Sequence, residues 1–127
     1  RRQIYSMNAD GSDQKRLTAP SAYIQYDSPH YSPDGKTIIY SMQPVTDNDE
    51  WSHIYIMSQD GNHAERISKL NSYDEHPCWS PAGDEVLFET VINGQNMIIL
   101  MKNDGTNQRI LTDASADNFT ASFFRIN

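Results

Sequence analysis

At 127 residues the chain has room for one domain with a core, and 37% apolar content with a mean hydropathy of -0.70 requires thin, alternating elements. A net charge of -7 with acids spread through turns argues against a nucleic-acid partner, which would need clustered Lys and Arg, and no run of about 18 apolar residues is present to span a membrane. One cysteine, Cys78, excludes an internal disulfide and a multi-cysteine zinc site.

The chain opens on Ile4-Tyr5-Ser6-Met7, followed by a turn at Asp10-Gly11 and a short polar strand, Gln14 to Thr18. A connection over residues 19–26 leads to Ser28-Pro29-His30-Tyr31-Ser32-Pro33-Asp34-Gly35, read as an inner strand closed by a turn. Proline fixes φ and lacks an N–H, so Ser-Pro ends a strand cleanly. An apolar strand follows at Lys36 to Met42, then a loop over residues 43–52, then His53 to Met57, Asp60-Gly61 and Ala64 to Ser68. The series then repeats. His76-Pro77-Cys78-Trp79-Ser80-Pro81-Ala82-Gly83 matches the Ser28 phrase, and Glu85 to Thr90, Met97 to Met101, Asp104-Gly105 and Gln108 to Thr112 follow. The last segment, Asp117 to Phe124, has the pattern of another incoming inner strand.

Met7 to Met57 is 50 positions and Met57 to Met101 is 44, with the excess confined to the loops at 19–26 and 43–52. Alternation of period two and Asp-Gly turns mark strands and hairpins, and no helical spacing persists. The fold class is therefore all-β, with four-stranded antiparallel units of the length of β-propeller blades. The expected division of the single segment 1–127 is a half blade at 1–18, blades at 27–68 and 75–112, and the start of another blade at 117–127. That is about 2.5–3 blades, incomplete as a single chain, because a closed propeller takes four or more. Two ways to complete it are a longer polypeptide, favoured slightly, and a head-to-tail homo-oligomer, in which two chains would supply roughly six blades.

Tyr31-Ser32-Pro33-Asp34-Gly35-Lys36-Thr37-Ile38-Ile39-Tyr40, Ile4 to Gly11 and Arg16-Leu17-Thr18 together resemble the TolB-like β-propeller repeat. The second copy departs at Ala82 and Asp84, and Ile110 stands where Arg16 and Arg66 occur. The resemblance implies a bacterial periplasmic or extracellular protein-interaction scaffold that binds an envelope protein through one loop face, with no cofactor. The alternatives are an enzyme or an enzyme-associated domain: a metal-dependent oligosaccharide lyase, or the non-catalytic propeller of a serine peptidase.

The turn aspartates Asp10, Asp34, Asp60 and Asp104 read as structural, since Asp in turns bonds nearby backbone. Tyr31, Tyr40, Trp79 and Phe88 read as packing between blades, and Met7, Met57 and Met101 as core filling. Partner contacts are expected on the face carrying the long loops, at Tyr23, Tyr26, Asp27, Asp49, Glu50, Trp51, Tyr73, Asp74 and Glu75, because an aromatic beside acids on an extended loop suits a binding contact. His30 and His76 are expected to line the channel. No third ligand accompanies them, and Asp47 with Asp49 lacks the spacing of a calcium loop, so no metal site is assigned. No catalytic residue is assigned either, because no nucleophile elbow or triad order is visible.

Overall fold

The computed structural model describes residues 1–46, 51–112 and 122–123, and the strands among them form three antiparallel sheets with no helix. A two-stranded sheet pairs β1 (Tyr5–Ser6) with β2 (Lys15–Arg16). The second sheet runs in the order β3 (Ile24–Tyr31), β4 (Thr37–Pro44), β5 (His53–Ser58), β6 (Glu65–Arg66). The third repeats it with β7 (Glu75–Trp79), β8 (Glu85–Ile92), β9 (Gln95–Lys102) and β10 (Arg109–Ile110). These are β-propeller blades, two of four strands and one two-stranded part.

The second strand of each blade is a continuous apolar run because both of its faces are covered. On β4, Ile38 and Tyr40 pack with Ile4 and Met57 toward the two-stranded sheet. Ile39, between them, belongs to the other cluster, with Ile54, Ile67, Val86, Phe88, Ile99 and Met101, toward the third sheet. Alternate residues thus serve opposite neighbours, as the period of two dictates. Each such side chain, fully buried, contributes about 1.5–3 kcal/mol. Tyr40 also sits between Tyr26 and Tyr55, with centroids 6.0 and 5.8 Å away.

The repeated motifs are hydrogen-bond devices. In each blade, a hydroxyl just after the outer strand accepts the N–H of an isoleucine on or next to the third strand. These bonds run from Ile4 to Thr18, Ile54 to Ser68 and Ile98 to Thr112, each 3.0 Å long. The Ser of Ser-Pro accepts the N–H five residues on, Thr37 to Ser32 at 3.0 Å and Glu85 to Ser80 at 3.1 Å. Its hydroxyl donates to a turn carboxylate: Asp34 at 2.6 Å in one blade and Asp84 at 3.0 Å in the next. The departure at Ala82 is therefore compensated from Asp84, and the turn keeps its form, with Gly35 and Gly83 at φ 72° and 77°. These bonds hold both carboxyls below the usual range, the serine hydroxyl being the main cause.

Blades also interlock through glycine. A Cβ on Gly61 would lie 2.5 Å from the Leu17 carbonyl oxygen, and one on Gly105 2.5 Å from that of Ile67. The Asp-Gly turn of each four-stranded blade rests directly on the backbone that follows the outer strand of the blade before it.

Several expectations change. Met7 is 65% exposed, against 2% and 1% for Met57 and Met101, and Tyr31 is 53% exposed. Both lie on the face of the two-stranded sheet and the inner strand beside it, where no earlier blade packs among the described residues. The inner strands begin at Ile24 and Glu75 and end before Ser-Pro, so Tyr26 belongs to a strand and not to a loop. The gap left between the expected strands Glu85 to Thr90 and Met97 to Met101 is itself mostly strand, closed by a two-residue hairpin with Asn93 and Gly94 both in the left-handed region at φ 51° and 76°.

Candidate functional site

Strand order places two kinds of connection on opposite faces. The Ser-Pro and Asp-Gly turns share one face. The other face carries the β2–β3, β4–β5 and β6–β7 loops and the Asn93-Gly94 hairpin. On it, Trp51 and Tyr73 meet edge to face, with ring centroids 5.2 Å apart. Trp51 is 42% exposed and Leu70 43%. The two rings, Leu70, Asn71 and Ser72 on one side and Val91, Ile92 and the Asn93-Gly94 tip on the other bound a groove of about 490 Å³. Among the described residues none that line it is charged.

The walls are fixed by local bonds. Arg66 donates through Nε to the Ser68 carbonyl at 2.6 Å and through Nη2 to that of Leu70 at 3.0 Å, holding the β6–β7 loop. The Asp74 N–H donates to the Ser52 carbonyl at 3.1 Å and the Ser52 hydroxyl donates back to the Asp74 carbonyl at 3.0 Å. Asp74 was expected as a surface contact. Its side chain is instead buried, 1% exposed, because Ser72 and Thr90 both donate hydroxyls to Oδ1, at 2.7 and 2.6 Å. The second oxygen, Oδ2, lies 3.7 Å from His53 Nδ1, beyond hydrogen-bond reach, and neither atom has a hydrogen-bond partner among the described residues. Burial, followed by the Arg66 charge, lowers the His53 pKa despite the opposing pull of Asp74.

The remaining expected contacts do not line this groove. Tyr23 is 69% exposed on the β2–β3 loop. Tyr26 leans against Tyr40, its hydroxyl pKa raised by burial, and Asp27 is ion-paired with Arg2. Glu75 is exposed and stands directly across the strands from Glu89. Asp49 and Glu50 lie outside the described residues. The groove unites Trp51 and Tyr73 but is not lined by Tyr23, Tyr26 or Asp27. Leu70, Val91 and Ile92 were missed by sequence reasoning, and the Asn-Gly hairpin signal was the clue that would have brought the last two into view.

His30 and His76 sit on the inner strands β3 and β7, and both are exposed. His76 Nδ1 lies 3.2 Å from Glu89 Oε2, and the His30 carbonyl accepts the Trp79 indole N–H at 3.2 Å. His76 occupies the extra position of a β-bulge at φ 50°, as Ser28 does in the blade before at φ 49°. Among the described residues no group of three or more His, Cys, Asp or Glu is placed to hold a metal ion. Burial raises the Cys78 thiol pKa, which suits a packing role better than a nucleophile.

Comparison with known proteins gives a consistent fold. Residues 1–123 match the family described as TolB beta propeller domain. The chain is similar to a structure of a putative TolB from Agrobacterium tumefaciens, with a TM-score of 0.72 and 30% identity over 87% of this chain and 40% of that one. TolB from Acinetobacter baumannii aligns at a TM-score of 0.68 and 22% identity, over 91% of this chain and 28% of that one. An oligogalacturonate lyase in complex with manganese aligns at 0.64 and 11% identity, over 83% and 27%, which is a likeness of fold alone. By sequence, 85 residues are 35% identical to an uncharacterized protein of Agrobacterium fabrum, covering 67% of this chain and 27% of that protein. A stretch of 83 residues is 28% identical to dipeptidyl-peptidase 5 of Porphyromonas endodontalis, covering 64% and 12%. The matched regions span well under half the length of these relatives.

Proposed function

The chain belongs to the TolB β-propeller family, and from that premise we propose that it is a protein-interaction scaffold whose partner docks on the loop face at the Trp51–Tyr73 groove. The observation that carries this reading is the exposed aromatic corner over a groove of about 490 Å³ that no charged residue lines among the described residues. Large aromatic side chains bury much area at little entropic cost, and they dominate binding energy where they anchor in pockets. A partner segment that seats an apolar side chain beside Trp51 meets a surface already held in shape by Arg66 and Ser52. The chain's charge of -7 favours basic residues flanking that anchor. By family resemblance the setting is periplasmic or extracellular and the partner an envelope protein.

A photo-crosslinking residue at position 73 tests the reading against one at Asn62, on the opposite, Asp-Gly face. Adducts with a partner protein are expected from position 73 only, and Trp51→Ala is expected to reduce them. Equal adduct yield from both positions would overturn the proposal.

We also infer that further blades cover the two ends. Gly11 has nothing within 4 Å of a Cβ position where Gly61 and Gly105 have a carbonyl at 2.5 Å. Leu111 is 49% exposed where its counterpart Ile67 is 1%. The short span relative to the matched relatives favours blades from one longer polypeptide over a second copy joined head to tail. A solution mass above that of a single chain would favour the head-to-tail assembly instead.

A further inference from the structure

The two blade junctions solve the same packing problem in different ways. At the first, the backbone bond from the Tyr26 N–H to the Arg2 carbonyl is 3.2 Å. At the second, the equivalent bond from Asp74 to Ser52 is 3.1 Å. The side chains around these bonds do not correspond. Ile24, Tyr26 and Met42 at the first junction are replaced by Ser72, Asp74 and Thr90 at the second. The first set is apolar apart from one hydroxyl, with Tyr26 and Met42 packed against a buried cluster. The second buries a carboxyl and two hydroxyls, each 3% exposed or less.

A buried carboxyl is costly unless fully bonded, and an apolar replacement of like volume is often no less stable. Here the chain itself carries a larger, apolar and half-buried set at the same place in its own repeat. The fold therefore does not require the polar set. The groove lies above this second junction. Ser72 is followed by the Tyr73 wall, Thr90 by Val91 and Ile92 on the opposite side, and Asp74 Oδ1 accepts from both hydroxyls at once.

We propose that Asp74 is the positioning residue of the groove, its Oδ1 clamping the Tyr73 wall to β8 and thereby setting the Trp51–Tyr73 corner. Its importance to partner binding rests on the function proposed above, but the geometry does not. A group held by two short bonds from opposite sides fixes a separation that apolar contacts leave adjustable.

The test uses the full chain with Asp74→Leu, Asp74→Asn and Thr90→Val. Trp51 fluorescence is obtained as the difference from Trp51→Phe, quenched with acrylamide, alongside near-ultraviolet circular dichroism. Asp74→Leu is expected to raise the Trp51 quenching constant about twofold and to weaken the aromatic dichroism, because a site loses its geometry when its supporting side chains are lost. Asp74→Asn keeps an acceptor oxygen for both hydroxyls and is expected to restore the native values. If Asp74→Leu folds with unchanged quenching and dichroism, Asp74 is merely structural and the proposal fails. Should that variant not fold, Thr90→Val, which removes one of the two donors, decides the matter: native quenching in it overturns the proposal. None of these readouts needs a partner, so failure of the crosslinking experiment leaves this result intact, and the reverse holds too.

Discussion

Replacing Gly105 with alanine separates two costs that are usually confounded. Gly105 and Gly35 both adopt positive φ, 80° and 72°, so alanine at either meets the left-handed penalty of roughly 1–2 kcal/mol. They differ in what surrounds them. Nothing lies within 4 Å of a Cβ on Gly35, whereas a Cβ on Gly105 would sit 2.5 Å from the backbone oxygen of Ile67. That oxygen belongs to the preceding blade and cannot rotate aside, so the blades must separate by several tenths of an ångström. Overpacking of this kind costs about 1–3 kcal/mol. Gly35→Ala should therefore cost about 1–2 kcal/mol and Gly105→Ala about 2–5 kcal/mol. For a chain of this size each kcal/mol moves the thermal midpoint by roughly 4 °C. Urea and thermal unfolding of the two variants measure the difference. Equal losses would refute the argument, since the only cost left would be the shared backbone one. Gly11→Ala extends the comparison: with another blade packed on that end it should lose as much as Gly105→Ala, and with the end open only as much as Gly35→Ala.

Other substitutions probe the repeated bonds. Ser68→Ala removes the acceptor of the buried Ile54 N–H, an orphaned donor worth about 1–3 kcal/mol in chemical denaturation. Asp84→Ala should lower the unfolding midpoint, and adding Ala82→Asp should recover it by returning the carboxylate to the place Asp34 holds in the other blade. Acid unfolding should show two windows. His53 has its pKa lowered, first by burial, so the folded state resists protonation. Its effect on stability is absent above the ordinary value of 6.5 and grows as the pH falls below it, and His53→Gln should flatten that slope. The turn aspartates contribute in the other window. Their folded pKa values are lowered, to about 2 for Asp60, chiefly by serine hydroxyls and at Asp104 by that of Thr106. That stability is present above 3.8 and is lost as the pH falls toward 2, and Asp60→Asn should reduce the loss.

Strand identity and turn position were legible because each rests on local chemistry. A run of β-branched and aromatic residues marks Thr37–Pro44, and glycine after aspartate marks the Asp-Gly hairpins. The burial of Asp74 was not legible. Its donors, Ser72 and Thr90, are 2 and 16 positions away, and nothing in the local pattern distinguishes an acid facing water from one turned beneath a loop. Met7 and Tyr31 misled for a related reason: repetition transfers the pattern of a covered position to one that no neighbour covers among the described residues. Of the candidate site, Trp51 and Tyr73 were found through loop length and aromatic character. Leu70 could be added only once the hairpin and the loop were seen side by side.

The bulges at Ser28 and His76 have a further effect. One extra residue on the inner strand, opposite an unbroken partner, makes the side-chain alternation skip a beat. Residues before the slip and residues after it are then no longer locked into one phase. The Ser-Pro half of each inner strand can remain the same joint from blade to blade, while the half nearest the loops exchanges Tyr26 for Asp74 without disturbing it. The slip acts as a swivel between a part of the strand devoted to assembly and a part free to diversify.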